Sequence, residues 1–382
     1  MKRWLSGAQL ASLVFLLPAF SFAQPALIST DADFALIFDH ESQTTLFSKN
    51  AETPMVPASM TKIMTVQVAF ERLATGELQL TDKIEVSENA WRKGGASSGG
   101  STMFLEPKDT PTVEELLRGI MILSGNDACI ALAEGISGSE EAFVEEMNYT
   151  AERLGLESAT FSNVTGLYDE DHLISSVDLA RLASRQLNQF PDLYALYSEP
   201  SYEWRGIKQP NRNPLLGSID GADGVKTGHL SVSGYGLVGS AVREGVRRTI
   251  VINGLDTIAD RRREAQRLMN LAFTAFEERT ASSGEVVGTL DVYMGTSNSV
   301  EVALGEPISL LLHKRAANSM KTEIVQSEPL IAPVRDGQEV ARLVVHVDGE
   351  PVADVPLLAK SSIDGLGFFG RVIAGLANML GE

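Results

Sequence analysis

Hydrophobic and polar positions follow two different periods between residues 24 and 283, as expected of a domain that mixes helices with strands. Apolar runs at the period of a strand, rich in glycine where the strands are longer, predict strands at residues 35–38, 44–47, 234–242 and 248–254. Apolar residues at helical spacing predict helices over residues 57–73, 140–154, 176–188 and 259–278. The sequence therefore predicts a mixed α/β domain with an antiparallel sheet.

Local signals mark where some of these helices begin and end. Thr112 and Glu115 have the spacing of a capping box and precede an apolar helical run, so a helix is predicted to begin there. Gly76 is expected to end the helix over residues 57–73. The glycine- and serine-rich residues 93–101 are predicted to form a loop.

The pattern changes at residue 284 to short β-rich runs separated by Asp-Gly turns. Strands are predicted at residues 286–293, 308–313, 322–326 and 341–347, with turns at 336–337 and 348–349. We interpret residues 284–362 as a small all-β domain. In residues 363–382, five apolar side chains lie at helical spacing and predict an amphipathic helix: Phe369, Val372, Ile373, Leu376 and Leu380.

The first 23 residues have the pattern of a secretory signal peptide. Lys2 and Arg3 precede an apolar stretch, and small residues at 21 and 23 lie before a cleavage point. The alternative is an uncleaved membrane anchor, but the apolar stretch is shorter than the ~20 residues of a spanning helix. We expect the mature chain to begin at Gln24 and to act outside the cytoplasmic membrane.

Composition excludes several classes of function. The 382 residues carry 50 Asp and Glu against 32 Lys and Arg, a net charge of -18, which disfavours nucleic acid as a partner. Cys129 is the single cysteine, so neither an intramolecular disulfide nor a cysteine-based zinc cluster can form. We interpret Cys129 as a buried small apolar residue. The histidines form no metal-binding pattern, and we expect neither a metal nor a cofactor.

Three short motifs occur in the order Ser59-Met60-Thr61-Lys62, Ser124-Gly125-Asn126 and Lys226-Thr227-Gly228. Each is weak alone, and Ser87-Glu88-Asn89 repeats the second pattern at what we interpret as a surface turn. All three in this order are the signature of serine enzymes that form acyl intermediates, the penicillin-binding proteins and class A β-lactamases.

The spacing suits nucleophilic catalysis. Ser59 and Lys62 are three residues apart at the start of a predicted helix, so both side chains lie on one face. Lys62 can accept the Ser59 proton only if burial and a neighbouring cation lower its pKa, and Lys226 is the candidate cation. Ser124 would relay a proton to the leaving group, and Asn126 would hold the substrate and Lys62.

The strand that carries the third motif is expected to bind an extended peptide. Thr227 lies on this strand, and Gly228 would let two backbones approach closely. The backbone N–H groups of Ser59 and His229 are the candidate donors to the oxyanion.

The chain resembles the low-molecular-mass penicillin-binding proteins of the D-alanyl-D-alanine carboxypeptidase family, of the penicillin-binding protein 5 and 6 type. The resemblance rests on residues 57–65 (PASMTKIMT), 116–134, 211–213 (NRN), 223–229 (DGVKTGH) and 261–264 (RRRE). It implies a transpeptidase-like α/β domain, a β-rich C-terminal domain and a C-terminal helix that anchors the protein to the outer surface of the cytoplasmic membrane.

The resemblance also implies the activity. It points to removal of the terminal D-Ala from peptidoglycan stem peptides through an acyl-serine, and to acylation by β-lactam antibiotics. Ser59, Lys62, Ser124, Asn126 and Lys226 match the family's catalytic positions, and Arg263 matches an arginine that helps hold the substrate carboxylate.

Three other functions remain open at this stage. A DD-endopeptidase would use the same residues on crosslinks. A β-lactamase needs a glutamate some 35 to 40 residues beyond the second motif, where this chain has Ser158 to Asn163 and then Asp169 and Glu170 in a different context. A non-catalytic wall-binding scaffold would have no need of a lysine with a lowered pKa.

Overall fold

The computed structural model describes residues 27–326 and 328–370. The predicted signal peptide and residues 371–382 of the predicted C-terminal helix lie outside the described residues. The helices are α1 Lys62–Thr75, α2 Glu88–Gly94, α3 Val113–Met121, α4 Asn126–Ser137, α5 Glu140–Arg153, α6 Ser176–Gln189, α7 Pro191–Tyr194, α8 Ile258–Thr274 and α9 Lys314–Ala317. Three short 3-10 helices cover Ala58–Thr61, Ala96–Ser98 and Ala195–Ser198.

The strands divide between the two parts of the chain. Those of the first part are β1 Phe34–Asp39, β2 Thr44–Lys49, β3 Ser201–Trp204, β4 Ile207–Pro210, β5 Ala222–Leu230, β6 Gly234–Arg243 and β7 Val246–Leu255. Those that follow are β8 Phe276–Ala281, β9 Val286–Tyr293, β10 Ser299–Leu304, β11 Ile308–His313, β12 Lys321–Val325, β13 Leu330–Ile331, β14 Glu339–Val347 and β15 Glu350–Ala359.

A five-stranded antiparallel sheet forms the centre of the first part, in the order β2-β1-β7-β6-β5. Side chains alternate between its faces: Leu36 packs with the helices on one face, while Ile37 packs with α8 on the other. Both faces are therefore covered, and among the described residues β5 is the last strand at one edge of the sheet. The first part is the mixed α/β domain with an antiparallel sheet that the sequence predicts.

The signals for the helix ends are confirmed. Thr112 and Glu115 form the predicted capping box at the start of α3, each side chain accepting a backbone N–H of the other. Gly76 ends α1 in the left-handed conformation, with φ of 78°.

Two local predictions were wrong. Ser87-Glu88-Asn89 is not a surface turn but the start of α2, where Ser87 caps the helix and also donates to Glu134 at 2.5 Å. The helix predicted over residues 259–278 ends at Thr274, and the chain continues as β8. Because β8 pairs with β11 over six residues, hydrogen bonding to a distant segment overrides the local helical pattern.

Apart from the single-turn helix α9, the second part consists of strands, as predicted. A six-stranded sheet has the order β12-β14-β15-β10-β9-β13, antiparallel except for the β13–β9 pair. Along β14 the side chains alternate between partly exposed and buried positions, and Ala341, Leu343 and Val345 pack in a separate core with β10 and β15. The Asp348-Gly349 turn joins β14 to β15, with both residues at positive φ. Within the described ranges no helix is long and apolar enough to cross a bilayer.

Candidate active site

The Ser59 side chain projects from a strained turn at the edge of the sheet. Residues 58–61 form a 3-10 helix that leads directly into α1, and Ala58 adopts a left-handed φ of 50°. A positive φ is unusual for alanine and is found mainly where surrounding contacts enforce it. Ser59 is partly exposed, while Met60 and Thr61 are buried. The turn therefore exposes the Ser59 hydroxyl to solvent, while the residues that follow it are buried.

Lys62 is fully buried and makes three hydrogen bonds. Its Nζ lies 3.0 Å from Ser59 Oγ, 2.8 Å from Asn126 Oδ1 and 2.6 Å from the carbonyl oxygen of Thr165. Burial lowers the pKa of Lys62 to about 8, and the Arg212 guanidinium contributes in the same direction. The lysine is thus poised to lose its proton near neutral pH while it contacts the serine.

The second motif approaches Lys62 at the start of α4. Ser124 is buried with φ of 62°, and Asn126 is the first residue of the helix. The Asn126 backbone N–H donates to the Ser101 carbonyl at 2.8 Å, and its side-chain oxygen accepts from Lys62. The motif is fixed from one side by the loop around Ser101 and from the other by Lys62.

Asp127, in the first turn of α4, binds the loop that follows Ser101. Its buried carboxylate accepts hydrogen bonds from the backbone of Met103 and Leu105 and from the Thr102 hydroxyl at 2.6 Å. A buried carboxylate is tolerated only when its oxygens are satisfied in this way. The loop is therefore rigidly attached at the point where it contacts Asn126.

The third motif lies on β5 and packs against the Ser59 turn. A Cβ atom added to Gly228 would lie 2.7 Å from the carbonyl oxygen of Pro57, so only glycine permits this approach. Lys226 is buried and donates to the Thr227 carbonyl at 3.0 Å. Burial, with the nearby charges of Lys62 and Arg212, lowers the pKa of Lys226 well below its usual range.

Two arginines that the sequence analysis did not select belong to the same positive region. Arg212 bonds to the Ser101 hydroxyl and acts electrostatically on both Lys62 and Lys226. Arg261, from α8, is 8% exposed and lies over the Tyr235 ring at 5.6 Å. Its Nε is buried without a hydrogen-bond partner among the described residues. Burial lowers the pKa of Arg261 to about 10, a cost that a bound anion would reduce.

Arg263, in contrast, is not brought to this region. Its side chain is 56% exposed and pairs with Asp260 at 2.6 Å and Asp31 at 3.2 Å. Arg261 and Arg263 are two positions apart on a helix, which places their side chains on different faces. The signal that distinguishes them is the burial pattern of α8, which also buries Glu264, Ala265 and Leu268.

His229 follows the third motif and remains exposed. Its ring stacks on Tyr235 with centroids 3.8 Å apart, and burial with the Arg261 charge lowers its pKa. A cleft of about 560 Å³ begins at His229 and is also lined by Met55 and Val56, which lead into the Ser59 turn. Space for a ligand therefore continues past the end of β5.

Residues 162–167 form a loop that packs against Lys62 and the Ser59 turn. Asn163 Oδ1 accepts the backbone N–H groups of Thr165, Gly166 and Leu167 at 2.8–3.1 Å, and this fold directs the Thr165 carbonyl toward Lys62. Gly166 has φ of 83°, and a Cβ there would lie 1.8 Å from the Ala58 carbonyl oxygen. Sequence analysis missed this loop because its contribution is a backbone carbonyl, which no residue type encodes.

Cys129 is fully buried, and burial raises the pKa of its thiol to about 12. A thiol in that state is a poor nucleophile, so the interpretation of Cys129 as a small apolar residue is confirmed.

Comparison with known proteins supports the resemblance to D-alanyl-D-alanine carboxypeptidases. The chain matches the D-alanyl-D-alanine carboxypeptidase family over residues 19–257 and the C-terminal domain of penicillin-binding protein 5 over residues 276–364. It is 35% identical over 380 residues to D-alanyl-D-alanine carboxypeptidase DacF of Bacillus subtilis, covering 96% of each chain. It is also 35% identical to DacC of Escherichia coli, covering 95% of this chain and 92% of that one.

Solved structures agree with the fold. Penicillin-binding protein 5 from Haemophilus influenzae has a TM-score of 0.67 at 32% identity, covering 88% of this chain and 98% of that one. DacD from Francisella tularensis has a TM-score of 0.74 at 29% identity, covering 90% and 96%. The expected transpeptidase-like domain followed by an all-β domain is therefore confirmed. Since the family match spans more than half of the sequence and relatives align along almost all of it, the chain belongs to the D-alanyl-D-alanine carboxypeptidase family.

Proposed function

We propose that this protein removes the terminal D-Ala from peptidoglycan stem peptides, with Ser59 as the nucleophile and Lys62 as its base. The observation that carries the proposal is the set of three hydrogen bonds at Lys62 Nζ. A neutral amine has two N–H groups and one lone pair. The Asn126 and Thr165 oxygens take the two N–H groups, so the lone pair points at the Ser59 hydroxyl, which then donates its proton.

The positive charges around Lys226 explain how substrate binding favours the neutral form of Lys62. Lys62 and Lys226 repel each other, so the pair readily gives up one proton. A substrate carboxylate bound near Lys226, Arg212 and Arg261 would hold the remaining proton on Lys226. The charged Lys226 then keeps Lys62 neutral. Binding the correct end of the peptide thus activates the base.

The chemical steps follow from these positions. Ser59 Oγ bonds to the carbonyl carbon of the penultimate D-Ala while its proton passes to Lys62, and the backbone N–H groups of Ser59 and His229 stabilise the oxyanion. The C–N bond then breaks, and the proton reaches the leaving amine through Ser124. Water hydrolyses the acyl-serine, which releases the shortened peptide and restores Ser59.

The same nucleophile accounts for inhibition by β-lactams. Penicillin-binding protein D2 from Listeria monocytogenes, 29% identical over 65% of this chain, has been solved with ampicillin and with cefotaxime bound. We propose that a β-lactam acylates Ser59 here and that Lys62, Ser124 and Asn126 take part as they do with the peptide.

We further propose that residues 1–23 direct secretion and are removed, and that residues 363–382 attach the protein to the periplasmic face of the cytoplasmic membrane. The divisions 24–283 for the catalytic domain and 284–362 for the β-rich domain belong to the same proposal. Few basic residues accompany the tail, so apolar burial would supply most of the attachment. Ile363 is buried in the core of the β-rich domain, and Leu366 donates its backbone N–H to Met294. A protein ending at residue 366 is therefore expected to be released from membranes and to keep its catalytic activity.

The central test compares D-Ala release by the protein from Gln24 onward with release by its Ser59→Ala variant. The substrate is a synthetic stem peptide ending in D-Ala-D-Ala. Release by the wild type alone supports both activity and nucleophile, and equal release by both proteins contradicts the assignment of Ser59. No release from the peptide, with cleavage of crosslinked dimers, would indicate an endopeptidase. Wall binding without cleavage of either substrate would indicate a scaffold.

A further inference from the structure

His172 connects the nucleophile turn to the loop that orients Lys62. Its Nδ1 accepts the backbone N–H of Ser162 at 3.0 Å, so in the neutral ring the proton is on Nε2. Nε2 therefore donates to Thr61 Oγ1 at 2.7 Å. One buried ring thus serves as an acceptor on one side and a donor on the other, and only one neutral tautomer satisfies both partners.

Both partners are adjacent to reacting groups. Thr61 lies in the turn between Ser59 and Lys62, and Ser162 begins the loop whose Thr165 carbonyl accepts from Lys62 Nζ at 2.6 Å. The separation between Ser59 Oγ and the Thr165 carbonyl decides where the lone pair of Lys62 points. His172 spans the two segments that set this separation.

Accordingly, we infer that His172 is a positioning residue for acylation: it holds the Ser59 turn and the 162–167 loop in register, so that Lys62 is aimed at Ser59. The inference rests on the proposed function. His172 touches neither Ser59 nor Lys62, and it acts through Thr61 and the loop.

The surroundings of the ring keep this link intact at neutral pH. His172 is fully buried and packs edge-on against Phe161 at 5.6 Å. Burial lowers its pKa to about 4; the Lys62 charge acts in the same direction, and Asp169 opposes them. The neutral ring required by the two hydrogen bonds is thus the form present during catalysis.

Two conservative variants test the two hydrogen bonds of the His172 ring separately. His172→Gln places an amide N–H near the Nε2 position and preserves the bond to Thr61, whereas His172→Asn places an oxygen near Nδ1 and preserves the bond from Ser162. Thr61→Val removes the turn's side of the link and leaves His172 intact. His40 supplies the control, because it is a partly buried histidine whose two ring nitrogens also bond to separate segments, through Thr249 at 2.8 Å and Ser184 at 3.0 Å.

The readout is the second-order rate of Ser59 acylation by a fluorescent penicillin as a function of pH, alongside urea unfolding. We expect His172→Asn and Thr61→Val to slow acylation about tenfold or more, since small displacements of reacting groups cost up to ~100-fold. We also expect the pH midpoint to rise, because a displaced loop admits water to Lys62, whose burial keeps its pKa low. His172→Gln, which loses the bond from Ser162, should also slow acylation. His40→Asn should lower stability and leave the acylation rate and midpoint of the folded protein unchanged.

Two results would overturn the inference. One is acylation by His172→Asn and Thr61→Val at the wild-type rate and midpoint; the other is a matching change in His40→Asn, which would make the effect one of general stability. If the wild type itself takes no penicillin at Ser59, the proposed function fails and the positioning role fails with it. Normal wild-type labelling with unchanged variants rejects the positioning role alone.

Discussion

The rise of Ser59 acylation with pH should follow the loss of a proton from Lys62, which titrates near pH 8. In the proposed mechanism Lys62 must be neutral to accept the Ser59 proton, and its burial lowers its pKa from 10.5 to about 8. Acylation by a penicillin is therefore expected to rise about tenfold per pH unit up to pH ~7 and to level off above pH ~9.

The size of the effect follows from the two pKa values. At pH 7 a lysine with a pKa of 10.5 is neutral in about 0.03% of molecules, whereas a pKa near 8 gives about 9%. Burial thus raises the population of the reactive form about 300-fold. Arg212→Met removes a charge that lowers this pKa and should move the midpoint upward by about one pH unit or less.

The assay measures acylation rates from pH 5.5 to 9.5 in the wild type, in Arg212→Met and in His229→Asn. His229 is the control because its pKa is lowered from 6.5, so its titration lies below the range in which Lys62 changes. A flat profile between pH 6 and 9, or a midpoint that follows His229→Asn instead of Arg212→Met, would refute the assignment of Lys62 as base.

Three further predictions concern residues around this centre. Gly166→Ala should abolish most acylation, because its Cβ would collide with a backbone carbonyl of the nucleophile turn. Gly155 is also at positive φ but has open space around it, so Gly155→Ala should lower the free energy of unfolding in urea by only about 1 kcal/mol. Arg261→Lys should raise KM for the stem peptide severalfold, whereas Arg263→Lys, in an exposed ion pair, should leave KM and the unfolding free energy within experimental error. Thr112→Ala removes the capping box of α3 and should lower the free energy of unfolding by about 1 kcal/mol with unchanged acylation.

The elements that follow local rules were predictable from the sequence. The capping box at Thr112, the glycine end of α1 and strands β9, β11, β12 and β14 depend on neighbours along the chain, and these were predicted, whereas β10, β13 and β15 were not. The α8–β8 boundary was not, because β8 is a strand only through its pairing with β11. Arg263 was matched to the family's arginine because it directly precedes Glu264, but only packing against the sheet decides which arginine of residues 261–263 is buried, and that residue is Arg261.

The site combines two demands that a single physical property satisfies. The proposed mechanism requires a lowered pKa at Lys62 and positive charge beside the substrate carboxylate. Both follow from burying cations next to one another in a protein whose net charge is -18. In an exposed cluster, water and salt would screen the repulsion and weaken both effects. Burial costs stability, and the network at Asp127, the close contact at Gly228 and the 162–167 loop provide the rigid packing that keeps water out. The parts of the site that sequence analysis missed are largely those that enforce this burial. The motifs therefore indicate the type of chemistry, whereas the surrounding packing sets the pKa of Lys62 and so the pH range in which the site reacts.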